Sequence, residues 1–417
     1  MPSITLFKLL RNNSFYLVIC LSGLISNIGA GLTQVAVYGE LAKNNAPTYY
    51  YTLAYSFALL PGIFSSSIGV YLAYRYRWNY ILIFAEILGA LFLIFPILGI
   101  KYHSFPLLII SEFSSCFIIG LIGPILAVFT RHTFADAELP LVSYIETYIF
   151  STQAIVGIGV GSFLYKFSDS SIYLYLDFFS YLISAGALWI FSIYFQINQL
   201  QVLPEKKEKN RFQWNSFTNT QKLSFLLLLI LTVIGVPAIS LLPMVALRCS
   251  QTNLPENTVV LFLFAKVLGQ LLGPFFTRSK NFDEYQKKPI KLVFNCVIFL
   301  MCYIFSYVLA SEYIGFFLIT IAHIFSNIFF VIAIYVIKRN FSEGEIGIVY
   351  TRQYQAQILL IFILSIATGL LSKYINFVPL ILSTSLIGIG ALILTSKFLC
   401  SDFRNKNLLV ATQNKQE

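Results

Sequence analysis

Long apolar runs alternate with short polar breaks along almost the whole chain. A helix needs about 20 residues to cross the hydrocarbon core of a bilayer, and most of these runs reach that length. Two breaks, 196–221 and 278–289, are longer than the others, and the first divides the runs into two sets of six. The pattern therefore predicts an all-α membrane protein with twelve transmembrane helices. The predicted spans are 14–38, 48–73, 79–100, 105–130, 141–165, 172–195, 222–247, 257–277, 290–310, 313–337, 349–372 and 376–398.

The two halves of the chain echo each other. The fifth span, from Val142, and the eleventh, from Val349, both open with polar groups, become apolar and end with a glycine shortly before a lysine. This echo, together with the central linker, indicates two six-helix pseudo-repeats, as in many secondary transporters. The predicted parts are an N-terminal six-helix bundle (1–195), a basic linker (196–221), a C-terminal six-helix bundle (222–400) and a tail (401–417).

The distribution of lysine and arginine predicts the orientation. If both termini are cytoplasmic, most of the 28 basic residues fall in cytoplasmic segments, as the positive-inside tendency requires. The linker and tail are then cytoplasmic too, and Lys266 alone lies within a span. The basic residues left on the outside are Lys43, Lys101, Lys166, Arg248 and Lys373.

Composition agrees with a membrane protein and excludes several functions. Hydrophobic residues make up 58% of the 417 residues and charged residues 11%, against about 25% in soluble domains. The net charge of +10 resides in short loops rather than on one face, which argues against nucleic acid as a partner. No CxxC, HExxH or phosphate-loop motif is present, so we expect neither metal nor cofactor and no enzyme activity.

The break between the second and third spans reads GVYLAYRYRWNY from Gly69. It resembles the G-x-L-A-D-R-x-G-R-R loop of the major facilitator superfamily, with Gly69, Ala73, Arg75 and Arg77 as matches. Tyr74 stands where that loop has an acid, and no glycine separates the arginines. The resemblance implies that the arginines act in gating, at cytoplasmic helix ends and the anionic leaflet. Ordinary positive-inside residues remain the alternative.

The stretch FIIGLIGPILAVFTRHTFADAELPLVSYIETYIF, from Phe117, is similar to the fourth and fifth helices of the drug-efflux branch of this superfamily. That branch includes exporters of macrolides and of catecholate siderophores. The matching residues are Gly123, Pro124, Arg131, Glu138, Leu139 and Pro140.

Two further stretches resemble the same branch in part. Many of its members carry an acid in the glycine-broken first helix, where this chain has Ala30. Its exporters carry G-P-x-x-G-G in helix five, a pliable element between the halves. Here Gly157 and Gly161 match, while Ile158 and Ser162 replace the proline and the last glycine. Close helix packing explains these glycines equally well.

Ionisable residues within the bilayer are costly and often functional. Glu86 is the candidate for proton coupling. Lys266 is a candidate either for binding an anionic substrate or for pairing with Glu86 across the halves. Glu146 and Arg352 occupy similar positions at the starts of spans five and eleven, so we expect a salt bridge that closes the cytoplasmic side.

Polar stripes on spans one and ten are candidates for the substrate cavity. Thr320, His323 and Asn327 share one helical face, and Asn27 and Gln34 lie on the first span. Helices one, four, seven and ten line the central cavity in this superfamily, so the resemblance implies that these residues face substrate. Hydrogen bonding between packed helices is the alternative.

The resemblance implies a secondary active transporter that exports a small amphipathic organic molecule of the siderophore or drug type by proton antiport, with alternating access. Its partners would be that molecule, protons and the lipid bilayer. We expect a monomer in a bacterial inner membrane. Uptake or flipping of a lipid-like solute by the same fold, or a transport-inactive sensor, remain open.

Overall fold

The computed structural model describes residues 8–44, 60–165, 167–194, 212–250, 255–277, 282–287, 289–372 and 374–413. Most of the predicted linker lies outside these residues. The described chain is almost entirely helical. Its main helices are α1 Ser14–Lys43, α2 Pro61–Ala73, α3 Trp78–Phe92 continued by Ile94–Lys101, α4 Phe105–Thr133, α5 Leu139–Thr152, α6 Ser170–Tyr194, α7 Asn219–Ser240 continued by Leu242–Cys249, α8 Pro255–Leu272, α9 Leu292–Leu309, α10 Glu312–Asn340, α11 Glu343–Leu371 and α12 Phe377–Gln413.

Within the described residues, nine helices are long and apolar enough to cross a membrane. The chain is thus a multi-pass membrane protein, and the count of twelve spans stays a prediction. The three remaining predicted spans coincide with α2, α5 and α8. The first half of the α2 span lies outside the described residues. Residues Gln153–Val160 continue α5 as a π-helix before a last α-turn. The apolar segment Leu261–Phe276 is shorter than the nine spans and runs from α8 through the 3-10 turn Gly273–Phe276.

Helix packing repeats between the two halves of the chain. In the first half α1 packs against α5 and α6, α2 against α4, and α3 against α6. Six helices later, α7 packs against α11 and α12, α8 against α10, and α9 against α12. The same arrangement of neighbours is therefore built twice, as an echo between halves predicts.

Helix α6 is apolar outside and polar inside. Its buried face carries Ser184 and Asp177, whereas Phe179 and Ile183 are more than half exposed. Lipid contact favours apolar side chains outside, while hydroxyls and carboxylates find hydrogen-bond partners on neighbouring helices. The interior of the first half is for this reason the place where its polar groups meet.

An aromatic cluster anchors the end of the linker to the second half. Trp214 packs on Phe225 of α7 and on Phe217. The ring of Phe217 in turn packs on that of Phe341, between α10 and α11, with the ring centroids 5.1 Å apart. The chain that enters α7 is fixed to the loop between α10 and α11.

Candidate functional site

The two halves contact each other mainly at one end of the bundle, which we call the closed end. It holds the loops between α2 and α3, between α4 and α5, and between α10 and α11. From there α11 packs along α2 and α4, as far as Gly62 of α2 against Tyr354 and Ile358. Positive-inside counting predicts that the closed end is cytoplasmic.

A charge pair joins the halves at the closed end. Lys338 of α10 lies 2.5 Å from the carboxylate of Glu146 on α5. The Lys338 side chain is only 1% exposed, so this carboxylate is the partner that balances its charge. The predicted salt bridge between Glu146 and Arg352 is not formed, because the Arg352 guanidinium turns outward and donates to Gln355 on its own helix.

Gln355 of α11 links the second half to α2 of the first half. Its amide nitrogen donates to the Ile63 carbonyl and to the Ser67 hydroxyl, both on α2 and each at 2.7 Å. Arg352 therefore contacts a residue that links the halves, and its own hydrogen bond stays within α11.

The start of α11 forms a second link. Ser342 and Glu345 make a reciprocal capping box, which satisfies free backbone N–H groups of the first turn. The Tyr74 hydroxyl donates to the carbonyls of Glu343 and Gly344 at 3.3 Å, and the His132 imidazole lies 3.0 Å from the Glu343 carboxylate. Tyr74 stands where the family loop has an acid. In this chain the acids at the N-terminus of α11 belong to α11 itself, Glu343 and Glu345.

The arginines of the predicted gate have different neighbours. Arg131 of α4 donates from Nε to the Phe341 carbonyl at 3.1 Å and so bridges the halves, and it also pairs with Asp136. Arg75, in the loop after α2, is exposed and stacks over Tyr71 of that helix. Arg77 is exposed and precedes the first turn of α3.

Replacing Tyr74 by phenylalanine is expected to open the closed end slightly. Burial raises the pKa of Tyr74 to about 12, so the phenol is a donor at neutral pH. Loss of its hydrogen bond costs about 0.5–1.5 kcal/mol, or up to about tenfold in the ratio of closed to open molecules. Tyr74→Asp should open it further, since the new carboxylate meets carbonyl oxygens and Glu343.

The opening is measured as the distance between spin labels at Ala137 and Asn215, exposed residues of the two halves at this end. The labels attach to introduced cysteines, with Cys400 replaced by serine, because the other five native cysteines are buried. Tyr76→Phe, in the same loop but exposed, is the matched control. A distance unchanged in Tyr74→Asp would contradict the assigned contact.

Glycines of the predicted gate allow helices to approach closely. A Cβ on Gly157, in the π-helical part of α5, would lie 2.6 Å from the Ile28 carbonyl and from the Cα of Gly31 in α1. Gly161 faces Leu32 of α1, and Gly69 of α2 lies directly against the Leu121 carbonyl of α4. A π-helical turn within an α-helix often marks a functional site. The glycine element thus packs α5 on α1.

Gly157→Ala is expected to destabilise the protein by about 1–3 kcal/mol, because the added methyl group meets the α1 backbone. Gly186→Ala in α6 makes the same change where nothing lies within 4 Å. Thermal unfolding of both variants in detergent measures the difference. Equal melting temperatures for the two would exclude the close contact.

Glu86 of α3 is buried among hydroxyl groups inside the first half. The Ser26 hydroxyl of α1 lies 2.9 and 3.1 Å from the two carboxylate oxygens, and it lies 3.2 Å from the Ser184 hydroxyl of α6. Within the described residues no cation lies within ion-pair distance of Glu86. The carboxylate is held by three helices and has protonatable oxygens but no counter-ion.

Two more buried carboxylates lie along α1. Asp177 of α6 accepts a hydrogen bond from Thr33 at 2.6 Å, and Glu40 accepts one from Ser170 at 2.7 Å. Asn27 and Gln34, predicted in the cavity, are half-buried on α1, and the Asn27 amide donates to a carbonyl one turn earlier.

The polar stripe of α10 (Thr320, His323 and Asn327) faces the interior of the second half. His323 is fully buried and its Nε2 lies 2.7 Å from the Tyr303 hydroxyl of α9, while Asn327 donates to the Gln270 carbonyl of α8. Gly269 of α8 packs directly on this stripe. Hydrogen bonds between packed helices therefore use polar atoms of His323 and Asn327 in this structure, and the prediction that the two residues face substrate stays a prediction.

Lys266 of α8 lies near His323, close enough for an electrostatic interaction. Within the described residues no carboxylate pairs with its ammonium group, so the suggested pairing with Glu86 is not formed. Lys266 as a group that binds an anionic substrate stays a prediction.

Solved structures provide the comparison. A bacterial homologue of the iron transporter ferroportin, in an outward-facing state, matches with a TM-score of 0.66 at 15% identity, over 92% of this chain and 99% of that chain. The proton:xylose symporter XylE matches with a TM-score of 0.68 at 13% identity, over 93% and 96%. The transporter FucP in its outward conformation matches with a TM-score of 0.61 at 12% identity, over 93% and 98%.

The chain has the major facilitator superfamily fold. The predicted superfamily architecture is thereby confirmed at the level of the fold, and these three neighbours are themselves named as transporters. No protein-family model matches the sequence, and comparison with curated protein sequences finds no significant match. The efflux branch and the positions of the termini stay predictions.

Several residues of the site escaped the sequence analysis. Nothing in the sequence distinguishes Lys338 from the other basic residues near helix ends, and nothing connects Glu86 with the hydroxyls that surround it. Ser342 and Glu345 carry a visible signal, since S-x-x-E before an apolar run is the signature of a capping box. The regular seven-residue spacing of Ser26, Thr33 and Glu40 is a second visible signal.

Proposed function

We propose that the protein is a secondary active transporter that exports a small amphipathic organic molecule, of the siderophore or drug type, by proton antiport. The observation that carries the proposal is Glu86, a buried carboxylate without a described counter-ion, held by hydroxyls of α1 and α6. Carboxylates within the bilayer are typical of proton relays in transporters. A proton bound there changes the charge inside the first half, next to α1.

Alternating access is supported by the type of contact at the closed end. Hydrogen bonds and one buried charge pair join the halves there, and such contacts form and break without unfolding either bundle. The corresponding glycines of α5 support export, since they match the pliable element of exporters in two positions.

Uptake by proton symport is the second candidate. It is favoured by the neighbours XylE and FucP, which are named as a proton:xylose symporter and a fucose:proton symporter. Ala30, Tyr74 and Ile158, which depart from the exporter pattern, also favour it.

The test compares a deletion strain with its complemented parent under iron limitation. Iron-chelating activity is measured in the culture supernatant and in the cytoplasm. Siderophore export predicts that the chelator disappears outside and accumulates inside on deletion. Unchanged secretion would contradict the siderophore proposal and leave drug efflux and uptake as candidates. Accumulation of an amphipathic dye in the cells distinguishes them: deletion should raise it if the protein exports the dye and lower it if the protein imports the dye.

A further inference from the structure

We propose that protons reach Glu86 along the interface between α1 and α6, entering at the end of the bundle opposite to the closed end, with Glu40 and Asp177 as relay groups. This route rests on the proposed proton coupling, and it adds residues and a direction of access that the coupling itself does not require.

The interface carries polar groups at a regular interval on both helices. Seven residues are nearly two helical turns, so positions seven apart lie on one face of each helix. The two helices run antiparallel, and the polar positions meet in three pairs. These are Ser26 with Ser184 at 3.2 Å, Thr33 with Asp177 at 2.6 Å, and Glu40 with Ser170 at 2.7 Å.

The outermost pair is the entrance of the route. Glu40 is 3% exposed, and its only charged partner among the described residues is Lys43, which is 66% exposed. The Asn44 amide also donates to this carboxylate, at 3.1 Å. Glu40 lies about 39 Å along α1 from the start of that helix, which is at the closed end. Its position therefore gives access from the opposite surface only.

Consecutive pairs are about 10 Å apart, which is too far for direct proton transfer. The inner step contains the Ser180 hydroxyl, 3.2 Å from the Asp177 carboxylate and one turn from Ser184. The outer step contains Tyr173, which packs with Ala36.

Tyr173 is the independent observation that points to a route. Its side chain is 1% exposed, and its hydroxyl has no hydrogen-bond partner in the described part of the chain. An unsatisfied buried hydroxyl is costly, and it is explained if it bridges, through water, the carboxylates on either side. Hydroxyls both donate and accept, so each can receive a proton on one side and release one on the other.

Besides Lys43 at the entrance, the other titratable groups beside the route are two tyrosines and Asp169, an exposed acid that interacts electrostatically with Tyr165. The Tyr165 hydroxyl lies 3.1 Å from Ser170, and Tyr181 of α6 lies against Gly89 of α3, one turn from Glu86. Every step moves one proton from oxygen to oxygen, from water to Glu40, then Asp177, then Glu86. No electron is transferred and no other group is required.

The experiment follows proton arrival at Glu86 in the purified full-length protein. After a rapid drop in pH, the infrared band of protonated carboxyl groups is recorded with time, and the part due to Glu86 is identified by its loss in Glu86→Gln. Tyr173→Phe removes one hydroxyl without a partner, so the fold is expected to be retained. We expect the Glu86 band to rise at least tenfold more slowly in this variant and to reach the same final amplitude.

Matched controls separate the route from general damage. Tyr175→Phe makes the same change two residues away on the exposed face of α6, and in this variant Glu86 should take up its proton at the wild-type rate. Asp177→Asn should slow loading further than Tyr173→Phe, whereas Asp169→Asn, an exposed acid before α6, should not.

The outcomes distinguish the two proposals. If Glu86→Gln removes no part of the band, proton coupling at Glu86 fails. If that band is lost in Glu86→Gln but Tyr173→Phe and Asp177→Asn load at the wild-type rate, the route is wrong and the coupling stands.

Discussion

Glu86→Gln is expected to abolish proton-driven transport while exchange of substrate between the two sides continues. The amide keeps the size of the side chain and can still bind the Ser26 hydroxyl, but it does not take up a proton. In proteoliposomes supplied from outside with the transported molecule or an amphipathic dye, a pH gradient should no longer drive accumulation of that molecule in the lumen. Exchange of labelled for unlabelled molecule, which needs no net proton movement, should remain within about threefold of wild type.

Glu312→Gln provides the control, because it removes a carboxylate at the start of α10, outside the first half. It should keep accumulation intact. Glu86→Gln with undiminished gradient-driven accumulation would show that another group binds the coupled proton.

Glu146→Ala is expected to shift the protein strongly towards molecules that are open at the closed end. Removing one partner of a buried charge pair typically costs about 3–5 kcal/mol, since the other charge is left uncompensated. Lys338 is that charge here, with 1% of its side chain exposed. The cost applies only while the halves are together, because opening returns Lys338 to water. The ratio of closed to open molecules should therefore fall by about a hundredfold or more.

The distance between spin labels at Ala137 and Asn215 measures this shift. Two double variants serve as controls: Glu146→Lys with Lys338→Glu restores opposite charges, and Glu146→Leu with Lys338→Met removes both. Both should close again, the second because replacing a buried pair by apolar groups is often neutral. Unchanged distances in Glu146→Ala alone would exclude the pair as a lock.

The positions of the helices can be predicted from the sequence, but the contacts between polar groups of different helices cannot. Run lengths, breaks and basic loops predict most of the helix positions, because lipid requires long apolar segments whatever their neighbours. The rotation of each helix is set by packing, which is why His323 faces α9 although its helical position was predicted correctly. Glu86 was recognised from its depth alone, whereas its partners on α1 and α6 depend on three helices meeting.

The charge lock shows the same limit. Glu146 and Arg352 were expected to pair because they occupy equivalent positions in the two repeats. In the structure Glu146 reaches Lys338 at the end of α10, and Arg352 points outward. Equivalence between repeats identifies residues of similar depth, but contact across the halves depends on which helices face each other.

The aromatic anchor of Trp214 and Phe217 has a consequence for how the molecule is assembled. Because these rings fasten the polypeptide that enters α7 to its own half, we expect that half to keep its position without the covalent link at 195–211. A gene split within this segment should yield two polypeptides that meet in the membrane and reconstitute the transporter, so each half would behave as an independently inserted subunit.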